Sequence, residues 1–263
     1  MFASPGEIAF KLGKITVFWY GICMACAILL GIFTSVKIAR KFYPKVNIDA
    51  FYDLMFYVIL GGIFGARLYY VVFDWSYFGQ HLSDIPKLWT GGLSIHGAIL
   101  GGFLAGAAYI WKHRLNLLMY ADVTVFGLCI GQIFGRLGNF FNSEAFGAPT
   151  NLPWKLFIPV FNRPEGYENF KYFHPAFLYE MIANTIIFMV LYYAVKNCTI
   201  KNYGTIFFTY LILYSIVRIF IENIRIDSIF NFYGMPIAVC ASIFFILIGI
   251  LGLLFFSKKE KGA

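Results

Sequence analysis

Seven uninterrupted apolar stretches of 19–23 residues dominate this chain, at about 15–36, 51–73, 93–111, 121–141, 175–195, 203–223 and 235–256. A helix needs about 20 such residues to cross a hydrocarbon core of about 30 Å. Nothing else in the sequence constrains the fold as strongly. Charged residues make up 13% of the 263 residues, against about 25% in a typical soluble domain. A globule of this size cannot be given a hydrated surface from so few charges. The runs are continuous rather than alternating, which argues against a β-barrel. The expectation is an all-α polytopic membrane protein with seven transmembrane helices, forming one integral membrane domain over 1–263. No internal repeat of the kind found in many transporters is visible.

The net charge of +8 would suggest nucleic acid in a soluble protein. Here the distribution of the 21 basic residues explains it otherwise. Eleven fall in short connections on one side: Lys37, Arg40, Lys41, Lys45, Lys112, Arg114, Lys196, Lys201, Lys258, Lys259 and Lys261. Seven fall in the longer segments of the other side: Lys11, Lys14, Lys87, Lys155, Arg163, Lys171 and Arg225. The positive-inside rule then places the N-terminus outside and the C-terminus in the cytoplasm, and no nucleic-acid partner is required. The first run is too long for a signal-peptide core and has its basic residues after it, so it reads as a retained span. Residues 1–14 are expected to form a short external segment, an amphipathic helix lying on the surface. Residues 142–174, rich in Pro, Asn and aromatics, are expected to form a small external cap. Cys23, Cys26, Cys129, Cys198 and Cys240 lie mostly in spans and read as packing residues, the Cys23/Cys26 pair included.

Because a charge inside a bilayer is costly, ionisable residues within spans are the strongest functional clue. With this orientation Arg67, His96, Arg136, Glu180, Arg218 and Glu222 all fall in the outer third, extended by Asn139 and Glu144. Asp53 and Asp122 fall near the cytoplasmic ends, where a carboxylate suits a helix N-terminus. Outer-end arginines can simply snorkel to headgroups, and Arg218 and Glu222, four apart, can form a local ion pair. The convergence of several such residues at one depth goes beyond either explanation. Glycines crowd the second to fourth runs; most suit close helix packing, while Gly91 and Gly92 suit a broken helix entry lining a cavity. Arginine forks bind phosphate bidentately, and histidine transfers protons near neutrality. The set therefore suits an enzyme acting on a phospholipid headgroup at the external face. No HExxH, zinc-type Cys/His spacing, P-loop or GxSxG is present to support a metal, nucleotide or serine-hydrolase mechanism. A different headgroup-dependent transferase, a transporter or channel, and a scaffold remain open on the residues alone.

The run GRLGNFFNSE at 135–144, followed by Gly147, resembles the signature of the bacterial prolipoprotein diacylglyceryl transferase family. Trp19-Tyr20-Gly21, Gly65-Ala66-Arg67-Leu68, Gly91-Gly92-Leu93-Ser94-Ile95-His96-Gly97, His174-Pro175, Tyr179-Glu180, and Tyr214 with Arg218, Glu222 and Arg225 match the same family in order. Ser143 and Ala66 depart from it, each standing where many members carry Gly. The resemblance spans the chain. It implies transfer of the diacylglyceryl group of phosphatidylglycerol to the lipobox cysteine thiol of a prolipoprotein, with no cofactor and no metal. It also implies a bacterial cytoplasmic-membrane location with the site facing outward, and the chain is expected to act as a monomer.

On this footing Arg136 is the expected phosphodiester clamp. Arg218 is expected to stabilise charge on the leaving phosphate or incoming thiolate. His96 is a candidate base or a headgroup hydrogen-bonding partner. Tyr20, Asn139 and Tyr214 are expected to orient headgroup or thiol. Glu144 and Glu222 are expected to fix the arginines, with Gly147 part of the same supporting set. Arg67, His174, Glu180 and Arg225 are weaker candidates, for which a structural role serves as well.

Overall fold

The computed structural model describes residues 2–13, 15–88, 91–197, 202–226, 231–232 and 234–259. Lys14, Cys198, Lys201 and Lys261 of the sequence reading lie outside these. Each of the seven apolar runs contains a helix: α1 (Trp19–Phe42), α2 (Ile48–Phe73), α4 (Ile95–Lys112), α5 (Leu117–Phe141), α6 (Ala176–Asn197), α7 (Thr205–Glu222) and α8 (Ile237–Lys259), with a single turn α3 (Trp75–Phe78) after α2. The protein is thus a mostly helical, multi-pass membrane protein. Among the described residues six helices are long and apolar enough to cross a membrane. The seventh, α4, falls short because four glycines, His96 and Lys112 dilute its 18 residues. Large apolar side chains such as Leu29, Phe64, Phe103 and Leu251 are exposed along the helices, as a lipid-facing surface requires.

Two expectations need correction at the N-terminus. Residues 1–14 do not form a surface helix, and the first run is not helical from residue 15. Instead β1 (Phe2–Ala3) is followed by a hairpin of β2 (Ile8–Leu12) and β3 (Ile15–Phe18), pairing Leu12 with Ile15 and Lys11 with Thr16. Ile8, Phe10 and Leu12 alternate with period two, a strand pattern rather than a helical one. Gly13, at φ +59°, opens the two-residue connection. At its other end α1 runs on through Lys37, Arg40 and Lys41, which the sequence had assigned to a connection.

The chain divides into two compact units, residues 1–42 with 121–263, and residues 43–120. In the first, β1 pairs parallel to β4 (Leu156–Phe157), which pairs antiparallel to β5 (Tyr172–Phe173). This three-stranded sheet closes segment 142–174 over a core of Phe146, Leu156, Ile158, Phe173 and Phe177. Helices α1 and α5 meet where Gly31 and Gly127 face each other; a Cβ on Gly31 would lie 3.0 Å from the Gly127 carbonyl oxygen. Ser35 Oγ inserts into the α5 ladder there, donating to Val123 O at 3.0 Å and accepting from Gly127 N–H at 3.1 Å. Asp122 does not serve its own helix: it accepts from Gly204 N–H and Phe207 N–H, both at 2.8 Å, and so caps α7. Cys23, Cys26, Cys129 and Cys240 are free thiols.

In the second unit α2 and α4 pack backbone to backbone. Gly61 and Gly65 face Gly97 and Gly101, two sets of small residues four apart; a Cβ on Gly61 would meet that of Ala105 at 2.5 Å. The cap of α2 is Asn47, whose Oδ1 accepts from Asp49 and Ala50 N–H. Asp53 is not a cap; it accepts from Tyr109 Oη at 3.3 Å.

Candidate active site

The last turn of α5, the first turns of α6 and the last turns of α7 bring opposite charges together. Arg136 Nη2 lies 2.7 Å from Glu180 Oε2, and Arg218 Nη1 and Arg225 Nη1 approach Glu180 Oε1 at 3.6 and 3.7 Å. Arg218 Nη2 also lies 2.7 Å from Glu222 Oε2, the pairing that their spacing of four allows. Among the directly ion-paired groups three guanidiniums thus face two carboxylates, one unit of positive charge in excess. The helix dipoles favour this placement, with arginines near C-termini and Glu180 near an N-terminus. Glu180 is 2% exposed, whereas the Arg136 side chain is 22% exposed: the anion is sealed and the cations reach the surface. Glu180 is therefore the hub of the cluster, a more central place than that of the weaker candidate it reads as from the sequence, and Arg225 joins through it.

Arg136 is held a second time. Its Nη1 donates to Asn139 Oδ1 at 3.0 Å, and Asn139 Nδ2 donates to the exposed Glu144 at 2.8 Å. Asn142 Nδ2 also reaches Glu144, at 3.3 Å, a partner the sequence reading missed. Arg218 Nη1 is buried and makes no hydrogen bond among the described residues. Tyr214, one turn before Arg218, stacks on Tyr210 with centroids 5.7 Å apart. The ring of Tyr20 lies over Gly138, where a Cβ would come within 2.8 Å of it. Trp19 beside it stacks on Phe141 at 4.8 Å.

Gly147 serves the backbone. It bridges to Arg225, and its N–H donates to His174 O at 2.8 Å while Ala148 N–H donates to Ile224 O at 2.8 Å. A Cβ on Gly147 would meet Ile224 Cγ2 at 2.6 Å and His174 Cβ at 2.9 Å. The glycine thus permits the strand contact that sets Arg225. The His174 ring is engaged elsewhere: its Nδ1 lies 3.1 Å from Tyr179 Oη, which accepts from Trp154 Nε1 at 2.8 Å.

Arg67 and His96 belong to the other unit. Arg67 is buried, and its guanidinium donates to five carbonyl oxygens, those of Asp84, Ile85, Lys87, Gly91 and Gly92, at 2.6–3.2 Å. All five of its N–H groups are so committed. Gly91 and Gly92 break the entry to α4 as expected, at φ +88° and +73°, and present their carbonyls to this arginine. In the same loop, hydrogen bonds from Lys87 and then Tyr77 hold the Asp84 carboxyl below its ordinary pKa. His96 is exposed in the first turn of α4, its ring 6.0 Å from that of Tyr69.

The profile of the prolipoprotein diacylglyceryl transferases matches residues 7–255. The chain belongs to this family. A phosphatidylglycerol–prolipoprotein diacylglyceryl transferase of Acaryochloris marina is 44% identical over 96% of this chain and 91% of its own length. Transferases of the same name from Trichormus variabilis and Synechocystis are each 41% identical over 99% of this chain, covering 93% and 92% of their own lengths.

The family signature at 135–144 coincides with the end of α5 and the turn that follows. Glu144 N–H donates to Asn139 O and Ser143 N–H to Phe140 O, both at 3.1 Å, with Ser143 at φ +54°. This is a Schellman cap with Ser143 at the left-handed position. A glycine is the natural occupant of such a position, in keeping with the departure expected at Ser143 from the sequence. Left-handed backbone costs an L-residue roughly 1–2 kcal/mol. Ser143→Gly is therefore expected to stabilise the protein by about 1 kcal/mol after the added chain entropy of glycine. A thermal melt in detergent checks this; a lowered midpoint would refute the strain.

Proposed function

We propose that this chain transfers the diacylglyceryl group of phosphatidylglycerol to the lipobox cysteine of prolipoproteins, the first step of lipoprotein maturation. The thiol sulfur bonds to the terminal glycerol carbon of the diacylglyceryl group as the carbon–oxygen bond to phosphate breaks. The thiol proton is lost and glycerol phosphate leaves. The observation that carries this reading is the Arg136–Glu180–Arg218 cluster, with one excess positive charge, built on the family signature. A phosphodiester brings one negative charge to match it.

In this reading Arg136 clamps the phosphodiester, and Arg218 stabilises the leaving phosphate or the thiolate. Glu180 and Glu222 hold the guanidiniums, Glu144 holds Asn139, and Tyr20, Asn139 and Tyr214 orient headgroup and thiol. A free thiol has a pKa near 8.5, so His96 serves as base or as a hydrogen-bonding partner of the headgroup. The reaction needs no cofactor. The distribution of basic residues supports seven spans, an external N-terminus, a cytoplasmic C-terminus and a site opening outward from the bacterial inner membrane, with segment 142–174 on that outer side. The chain acts as a monomer.

Purified protein in mixed micelles, given phosphatidylglycerol labelled in its acyl chains and a lipobox peptide, is expected to yield a labelled, thioether-linked peptide and free glycerol phosphate. A peptide with serine for the cysteine is expected to yield neither. Labelled product from the serine peptide, or none from the cysteine peptide, would overturn the reading.

A further inference from the structure

One helical turn from the arginine cluster, the first unit buries two amides whose hydrogen-bonding capacity is unmet. Helices α5 and α6 run antiparallel, in a register fixed by three contacts: Phe140 with Phe177 at 5.0 Å, Arg136 with Glu180 at 2.7 Å, and Phe126 with Phe188 at 5.7 Å. Gln132 precedes Arg136 by four residues and Asn184 follows Glu180 by four, so they share one layer about 6 Å along the axis. Asn184 is 1% exposed. Among the described residues neither its Nδ2 nor its Oδ1 has a hydrogen-bond partner, and neither does the buried Gln132 Oε1.

Buried polar groups in a membrane protein are paired, because no lipid tail can satisfy them. The unmet set is one amide donor group and two acceptor oxygens. The ester carbonyls of a glycerolipid only accept, so they would leave both oxygens unpaired. A peptide backbone offers N–H and C=O together and pairs with a carboxamide at both atoms. An acceptor segment that is non-helical around its cysteine carries the complementary deficit, since its N–H and C=O groups lack helical partners inside the membrane.

We infer that Asn184, supported by Gln132, binds the peptide backbone of the prolipoprotein next to its reactive cysteine, and so places the thiol beside the phosphate held by Arg136. The inference rests on the proposed transferase reading. It also requires the peptide to reach past the Arg136–Glu180 pair, which lies one helical turn from the two amides. Asn184 is on this account an acceptor-positioning residue.

The test crosses two changes. Transfer is measured to a lipobox peptide and to analogues N-methylated at single backbone positions around the cysteine, with wild type, Asn184→Leu and Gln132→Leu. Wild type is expected to lose about tenfold in kcat/KM on methylation at one particular position, the value of one or two hydrogen bonds. Asn184→Leu is expected to lose about tenfold with the native peptide, through a raised KM for peptide, and to lose nothing further at that position. Its KM for phosphatidylglycerol stays as in wild type. These ratios do not depend on the fraction of folded enzyme, and Gln132→Leu, expected to show the same coupling more weakly, supplies a second reading if Asn184→Leu is not recovered folded. Additive losses from methylation and mutation would overturn the inference. So would a wild type indifferent to methylation at every position, which would indicate that the amides hold only water. An Asn184→Leu that instead loses its preference for diester over diether phosphatidylglycerol would assign the amides to the lipid. Absence of transfer by wild type from any lipid would count against the transferase reading, not against the role of Asn184.

Discussion

Arg136→Ala is expected to lower diacylglyceryl transfer by roughly 10²–10³-fold in kcat, the cost of losing one preorganised donor to developing charge. The side chain is equipped for this. Among the described residues Nη2 is committed to Glu180 and Nη1 to Asn139, which uses two of five N–H groups. The other three remain for a phosphate. Arg136→Lys is expected to recover little of the loss. One ammonium cannot hold Glu180, Asn139 and two phosphate oxygens in a plane, and its charge is a point rather than a fork. The fold is expected to survive either change, because Arg218 and Arg225 still approach Glu180 at 3.6 and 3.7 Å. Initial rates over a range of phosphatidylglycerol, with a melt of each variant, check both statements. An Arg136→Ala protein retaining more than half of wild-type kcat would remove Arg136 from the phosphate.

The contrast with Arg67 shows what the sequence could and could not disclose. Both are arginines in apolar runs, each flanked by glycines, and composition treats them alike. The difference lies in long-range neighbours: Arg67 spends every N–H on carbonyls of the following loop, while Arg136 keeps three. Helix existence was legible throughout, because long apolar runs in so charge-poor a chain can bury their backbone polar groups only as helices, although among the described residues six of these helices are long and apolar enough to cross a membrane. Helix ends were less so. The strand Ile15–Phe18 is as apolar as the helix it precedes, and only pairing with Ile8–Leu12 distinguishes it. The signature was readable as a motif, but its chemistry divides: Arg136, Asn139 and Glu144 form a hydrogen-bonded chain, whereas Ser143 serves a helix cap. Asp122 was visible as a carboxylate suited to a helix N-terminus, yet the helix it caps is 82 residues away. Asn184 carried one signal, an amide in an apolar run four residues from Glu180, which gains meaning only once the antiparallel register of α5 and α6 is known.

Glu180 carries the other large effect, and its two substitutions separate charge from structure. Glu180→Ala leaves Arg136, Arg218 and Arg225 facing one another, with Glu222 the remaining carboxylate ion-paired within the cluster. Breaking a buried ion pair from one side costs about 3–5 kcal/mol, which for a chain of this size lowers the melting midpoint by on the order of 10 °C. Glu180→Gln keeps the volume and an oxygen for hydrogen bonding but removes the charge, and the excess positive charge rises from one to two. An anionic lipid is then attracted more strongly in the ground state, while guanidiniums no longer drawn to a common anion are less well placed on the departing phosphate. KM for phosphatidylglycerol is therefore expected to fall together with kcat, the pattern of ground-state binding gained at the expense of the transition state. A partly unfolded population would lower apparent kcat with KM unchanged. Raised ionic strength is expected to abolish the KM difference between Glu180→Gln and wild type, because the added attraction acts through solvent-accessible arginine edges. If Glu180→Gln raised KM, or left both constants at wild-type values, the carboxylate would not be what gathers the three arginines into one phosphate site.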